Sequence, residues 1–419
     1  MKKNILNNYK RAAALYIGNL IDHYDGALFA FLSPIFATQF FPETDYLTAL
    51  ILTYAMLPLG VISKVAGAFY YGAMGDKKGP THALCYTLFG ISCLSICMAA
   101  LPTYQTIGAY APLMLLLLRL AYNFFSAAES TGGAISFINL SEKEEEKDML
   151  SSLFNTSTIG GILAASFLIS LFYYLNILES TWRTLYLLGG VAGLIGYFLR
   201  KEKRTFPTNC LNTSISKKPF CLKEIWASRD VLAAMTLASA FSYACYAMAF
   251  ILMNTLIPLV TPYTHSEAAL TNTSLLVLDF ILLPLFGYLA TKIGRTRMMM
   301  GAIGAAIFSG LILFPMISQA TLFFIITIRL IIVGIGVAFS STYHSWALSV
   351  APPSYSYSAM ATTYALGSRL LGSSTPALSL YLFKETGSLL AISGYWLLLA
   401  LATGYLMHRQ KPILQLRSV

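Results

Sequence analysis

Twelve apolar runs, most of them about 20 to 30 residues long, recur along a chain of 419 residues. They fall at about 11–40, 47–74, 81–101, 111–139, 150–175, 182–199, 231–260, 268–290, 298–318, 320–348, 358–383 and 389–408. Runs of this length cross a hydrocarbon core of roughly 30 Å as helices. Inside such a core the backbone must satisfy its own hydrogen bonds, which leaves helices or a closed barrel. The short alternating segments of a membrane barrel are missing. The expected class is therefore an all-α membrane protein with twelve transmembrane helices. Composition agrees: 57% of residues are hydrophobic and 11% charged, against roughly 25% charged in soluble domains.

A net charge of +10 would point to nucleic acid in a soluble chain, but its placement here points to a bilayer. Lys2, Lys3, Lys10 and Arg11 precede the first run. Arg200, Lys201, Lys203, Arg204, Lys217, Lys218, Lys223 and Arg229 fill the mid-chain polar stretch, and Arg409, Lys411 and Arg417 follow the last run. The alternate loops hold only Arg183 and Lys384. This bias predicts both termini on the cytoplasmic side, and no nucleic-acid partner. Cys85, Cys93, Cys97, Cys210, Cys221 and Cys245 all lie in apolar runs or the mid-chain stretch, so no disulfide framework is expected. No metal-ligand spacing occurs among them. The first run is too long for a signal peptide and carries Asp22 and Asp25.

Two basic turns echo each other. Gly72-Ala-Met-Gly-Asp76-Lys-Lys-Gly79 follows the second run, and Gly287 to Arg297 follows the eighth. Gly72 and Gly287 are 215 positions apart, as are Gly79 and Gly294. Leu118-Arg119-Leu120 and Ile328-Arg329-Leu330 repeat at a spacing of 210. Repeats at half the chain length predict two related six-helix bundles. The expected division is residues 1–200, a cytoplasmic linker at 201–229, and residues 230–419.

Eight ionisable side chains sit inside the apolar runs: Asp22, Asp25, Glu129 and Asp279 against Lys64, Arg119, Arg329 and Arg369. Each costs about 2.5–3.5 kcal/mol to insert, and their balance in sign fits an inward-facing paired network. Asn19, Asp22 and Asp25 share one helical face. Two carboxylates on one face repel when both are charged, so one of them is suited to carry a proton; the alternative is structural pairing with Lys64. Arg119 and Glu129 are ten residues apart, about 15 Å along a helix at 1.5 Å per residue, too far to pair. Arg119 offers a planar fork to an anionic substrate, or else pairs with Asp22 or Asp25. Arg329 is placed as its symmetric counterpart or as a partner of Asp279. Arg369 adds positive charge to a central cavity. Tyr24 and Tyr364 are aromatic candidates for the cavity wall among residues that mostly pack. His23 and His344 are weaker candidates for titration. The acidic stretch Ser141 to Asp148 reads as a solvated turn, with binding to the basic loops as the alternative.

These motifs resemble the major facilitator superfamily. Gly72-x-x-x-Asp76-x-x-Gly79 resembles its loop 2–3 signature, and Gly287 to Arg297 the second-half echo. More narrowly, the chain resembles the metabolite:proton symporters, the carriers of proline/betaine, shikimate and 2-oxoglutarate type. The resemblance runs through Gly18-Asn19-Leu-Ile-Asp22-His23-Tyr24-Asp25, Arg119 with Glu129-Ser-Thr-Gly132, Thr181-Trp-Arg183 and Gly372-Ser-Ser-Thr-Pro376. There are departures. Pro80 follows Gly79 where arginine is usual, Thr291 replaces an acid, Lys64 replaces an arginine, and Arg369 replaces a small residue. The resemblance implies the major facilitator fold, and proton coupling through Asp22 and Asp25, with Glu129 as a second proton site. It implies cytoplasmic gating by the turns of Gly72, Asp76, Gly79, Gly287, Gly294 and Arg295, and function as a monomer.

The expected function is proton symport of a small organic acid or zwitterion across a bacterial inner membrane by alternating access. Asp22, Asp25 or Glu129 takes the proton, and Arg119, Lys64, Asn19, Tyr24, Arg329, Arg369 and Tyr364 are candidates for the substrate. The rival readings are a proton-antiport exporter of drugs or siderophores and a transport-dead scaffold or receptor. No nucleotide-binding loop, nucleophile elbow or zinc-protease motif is present. No enzyme activity, cofactor or metal is therefore expected, and the partners are the substrate, protons and the bilayer.

Overall fold

The computed structural model describes residues 2–78, 80–141, 143–202, 226–313, 316–317, 321–352 and 356–417. Gly79 and residues 203–225 of the expected linker lie outside this set, as does the side chain of Asp76. Among the described residues every element is helical, and apart from the one-turn helix Tyr104–Ile107 they form the twelve expected rods. The first three are α1 (Lys2–Phe31 continued by Ser33–Phe40), α2 (Tyr46–Leu59 continued by Val61–Lys78) and α3 (Pro80–Ala99). Next come α4 (Tyr110–Phe125 continued by Ala127–Ile138), α5 (Glu144–Tyr174) and α6 (Leu178–Glu202). The second half opens with α7 (Arg229–Tyr246, Ala247–Leu252 and Met253–Val260), α8 (His265–Ile293) and α9 (Arg295–Ile312). It closes with α10 (Leu322–Ser340 and Tyr343–Val350), α11 (Ser356–Tyr364, Ala365–Leu371, Gly372–Ser374 and Thr375–Thr386) and α12 (Leu389–Arg417). Seven rods are individually long and apolar enough to cross a membrane: α2, α4, α5, α7, α8, α10 and α12.

Several rods break along their length, and a proline or glycine explains two of the breaks. Pro34 cannot donate a backbone hydrogen bond, so α1 restarts at Ser33, whose hydroxyl donates back to the Phe29 carbonyl at 2.9 Å. Pro58 and Gly60 interrupt α2. In α7 and α11 the chain widens into single π turns at Ala247–Leu252 and Ala365–Leu371, a deviation that gathers at functional sites. Such breaks are tolerated at membrane depth because neighbouring helices and hydroxyl side chains take up the freed groups.

α5 is central: it packs along α1 on one side and α8 on the other. α3 lies on α6, α9 on α12, and α7 on the π turn of α11. That last contact is backbone-close. A side chain at Gly367 would place its Cβ 1.8 Å from Ser239 Oγ and 2.1 Å from the Thr236 carbonyl. Trp182, Trp346 and Trp396 are fully buried in the packed interior, whereas Ile62, Phe69, Phe198, Phe308 and Phe323 are exposed on rod surfaces, as a bilayer permits.

Candidate functional site

Five of the embedded charges are buried in the first half, and Asp22, Asp25 and Arg119 are linked there. An Arg119 Nη1 lies 3.6 Å from Asp25 Oδ1, with both side chains 2% exposed. The guanidinium sits 4.4 Å from the Phe29 ring centre and 4.5 Å from that of Tyr122, where ring quadrupoles add to its stabilisation. The Tyr122 hydroxyl donates to Asp22 Oδ1 at 2.8 Å and to the Asp22 carbonyl. Asp25, Arg119, Tyr122 and Asp22 thus form one chain from α4 to α1. Lys64 takes neither aspartate within ion-pair distance; it donates to Ser130 Oγ at 3.1 Å and Ser126 Oγ at 3.4 Å on α4. The structural reading of Asp22 and Asp25 as partners of Lys64 is corrected accordingly. Glu129 accepts from Thr87 of α3 at 2.9 Å.

Two polar candidates turn out to hold helices together. The Asn19 amide donates to Ser157 and Thr158 of α5, each at 2.8 Å. The Tyr24 hydroxyl donates to the Leu185 carbonyl of α6 at 3.0 Å. In the second half, Arg329 does not pair with Asp279. It donates to the Ala249 carbonyl at 3.1 Å, within the π turn of α7, and to Asn272 of α8. The expectation of an Arg329–Asp279 ion pair is therefore overturned. Arg329 instead caps backbone freed by the π turn.

Between the halves lies a cavity of about 120 Å³. Of the candidates named from sequence, Asp22, His23, His344, Tyr364 and Arg369 line it, whereas Asp25, Lys64, Arg119, Glu129 and Arg329 are packed behind it. The wall also holds Asp279, Tyr243, Tyr246 and Phe250. Sequence reading finds Asp279 as an embedded acid and offers it only as one possible partner of Arg329. Its register on α8, which turns it to the cavity, depends on packing against α5.

Bonds between the halves lie beyond both ends of this cavity. At the end bearing the repeated turns, Arg295 Nε lies 3.1 Å from Asp148 Oδ1 and Arg295 Nη2 lies 3.7 Å from Glu144 Oε2. Arg295 also donates to the Ser345 carbonyl at 3.2 Å, Ser345 donates to Asp148, and Asn155 donates to the Ser340 carbonyl at 2.6 Å. The reading of Ser141 to Asp148 as a plain solvated turn is thus corrected: α5 begins at Glu144 and its acids clasp the second turn. Hydrogen bonding from Lys147, with Arg295 nearby, holds the Glu144 carboxyl below its ordinary range. Two glycines of that turn shape the clasp. A Cβ at Gly287 would meet Ser152 Oγ of α5 at 2.2 Å, and Gly294 ends α8 at φ +94°, a conformation that favours glycine. At the other end Tyr54 and Thr255 share a hydrogen bond of 2.6 Å, and Ser166 and Ser170 each meet Thr273 at 2.8 Å. Lys384 lies 3.3 Å from Asp45 and bonds Thr48.

The Major Facilitator Superfamily model matches residues 15–376. A Staphylococcus aureus protein provisionally named a proline/betaine transporter is 27% identical over 422 residues, spanning 95% of this chain and 87% of its own length. The citrate-proton symporter of Klebsiella pneumoniae is 24% identical over 415 residues, spanning 95% and 91%. Among solved structures, a partially occluded inward-open xylose transporter of E. coli superposes with a TM-score of 0.72 at 16% identity, covering 96% of this chain and 99% of that one.

Proposed function

The chain belongs to the Major Facilitator Superfamily, and on that premise we propose that this multi-pass membrane transporter is a proton-coupled symporter of a small organic acid or zwitterion. The observation that carries the reading is the buried chain Asp25–Arg119–Tyr122–Asp22, whose far end opens on the cavity between the halves. A proton on Asp25 removes its charge and frees the Arg119 guanidinium. Tyr122 touches both Arg119 and Asp22, so the rearrangement reaches the cavity wall. A paired buried charge is stable in low dielectric and an unpaired one is not, which ties protonation to a change in packing. Glu129, held by Thr87, is the second proton site in this reading.

Residues 1–200 and 230–419 then rock as two bundles about the cavity, with the linker at 201–229, both termini and the Arg295 clasp on the cytoplasmic side of a bacterial inner membrane. A monomer is the working unit. Arg369 and Tyr364 face the substrate, whereas Arg119, Lys64 and Arg329 act from behind the wall.

The test is uptake into proteoliposomes of the purified protein. An inward proton gradient is expected to drive accumulation, and a protonophore to abolish it. Asp25→Asn is expected to lose accumulation while retaining exchange of substrate at equal concentration on both sides. Accumulation that survives collapse of the gradient removes the coupling claim, and accumulation under an outward gradient supports the exporter instead.

A further inference from the structure

Six of the eight embedded charges have partners: Asp22 holds Tyr122, Asp25 holds Arg119, Lys64 holds Ser126 and Ser130, Glu129 holds Thr87, and Arg329 holds Asn272. Two do not. Among the described residues Asp279 makes no hydrogen bond or ion pair, and neither does the Arg369 guanidinium, whose Nε is buried without a partner; the Tyr243 ring lies 5.9 Å away and the Asp22 carboxylate lies beyond ion-pair distance. Asp279 is 6% exposed and Arg369 9% exposed. They have opposite signs, sit on different rods (α8 and α11), and line the same cavity. From this we infer that the cavity is a two-pole site for a small zwitterion, with Arg369 taking the carboxylate and Asp279 the cationic nitrogen. The inference rests on the transport reading above and narrows its substrate.

An unpartnered buried charge is costly, and the cost is relieved when a ligand brings the complementary group. A ligand carrying both charges relieves both poles and is itself neutral overall. A di- or tricarboxylate would satisfy Arg369 but set a second negative charge against Asp279 and against Asp22, one of whose carboxylate oxygens is unbonded. Like charges brought together in an interface cost several kcal/mol. The wall beside the poles is aromatic. Tyr243 and Tyr246 meet edge to face at 5.7 Å, and Tyr246 and Phe250 lie 5.6 Å apart. Such faces attract an alkylated ammonium, which is hydrophobic as well as charged.

Size points the same way. The cavity measures about 120 Å³, somewhat less than a cavity of ~150 Å³ that accepts benzene. It suits a small amino acid better than a tricarboxylate. The backbone fixes the positive pole. Arg369 lies on the π turn of α11, between Gly367 and Gly372, which press against Ser239 and Tyr243 of α7.

The experiment measures binding to the purified full-length protein by calorimetry, using four probes. Glycine betaine carries both charges. 3,3-Dimethylbutanoate has the same shape with carbon in place of nitrogen. Choline carries the cation alone, and citrate is the polyanion. Glycine betaine is expected to bind at least tenfold more tightly than the other three. Asp279→Asn is expected to lose at least tenfold in glycine betaine binding and to accept 3,3-dimethylbutanoate, while Asp279→Glu keeps the wild-type order. Arg369→Gln is expected to lose glycine betaine and shift preference towards choline. Asp279→Glu guards against a folding defect mistaken for a lost pole. Equal or tighter binding of citrate or 3,3-dimethylbutanoate by the wild type, unaltered glycine betaine binding by Asp279→Asn, or binding of none of the four overturns the inference. Gradient-driven citrate uptake would overturn it while leaving proton symport standing. Glycine betaine binding with gradient-independent flux would do the reverse.

Discussion

Arg295 reaches across the molecule to Asp148 at 3.1 Å, joining the second basic turn to the start of α5. The two residues lie 147 positions apart, and neither lies within an apolar core. The contact is supported by Ser345, which donates to Asp148 while its carbonyl accepts from Arg295. A charged hydrogen bond of this kind, partly shielded from water, is worth about 1.5–3 kcal/mol.

Arg295→Gln should therefore favour opening at this end by about 10- to 100-fold. The Cys245 thiol lines the cavity and is buried, so its alkylation, followed by peptide mass spectrometry, reports the opening. A labelling rate equal to wild type would show that the clasp does not hold this end shut.

The opposite closure has a defined pH response. Asp45 caps α2, and its carboxyl is drawn down to about 2, first by the Thr48 hydroxyl, then by the Thr48 backbone N–H, with Lys384 adding to both. A carboxylate lowered in the closed form stabilises closure above its free value of 3.8 and loses that effect as pH falls towards 2. Closure here should be flat between pH 5 and 8. Lys384→Gln should raise hydrogen exchange of residues 46–50 about two- to fivefold at any pH in that window. A step in exchange near neutral pH would place control on another group.

Removing one partner from the buried pair of Asp25 and Arg119 should be harsher than removing both. Arg119→Ala leaves Asp25 without its cation and is expected to cost about 3–5 kcal/mol. The double variant Asp25→Asn, Arg119→Gln should recover part of that loss in thermal unfolding in detergent. Additive losses would mean that the two side chains, 3.6 Å apart, do not act as a pair.

Gly367→Val tests the seat of the π turn. With only 1.8 Å between a built Cβ and Ser239 Oγ, α11 must move away from α7 and carry Arg369 with it. Glycine betaine binding should fall at least tenfold, and Ser239→Gly in the same chain should restore part of it. Full binding by the single variant would show that α11 yields without moving Arg369.

The helices were legible in the chain because a hydrocarbon core imposes length and apolarity on every crossing. Pro34, Pro58 and Gly60 announced two of the breaks, and the eight embedded charges were visible as exceptions in apolar runs. The π turns were not visible, since Ala247–Leu252 and Ala365–Leu371 contain residues compatible with an ordinary helix. The clasp was legible only as the second alternative, because a run of acids and lysines looks solvated until a partner such as Arg295 is packed against it.

Sequence by itself determined the twelve rods, the repeated turns and the inventory of buried charge, because each follows from local composition and spacing. Tertiary structure alone decided the partners: Arg119 with Asp25 rather than Asp22, Arg329 with Asn272 rather than Asp279, and Asp279 and Arg369 with no hydrogen bond or ion pair among the described residues. Partnership depends on how each rod is rotated and how closely it approaches its neighbours. Those settings come from contacts as remote as Gly287 on Ser152 and Gly367 on Ser239, far outside the reach of any local pattern.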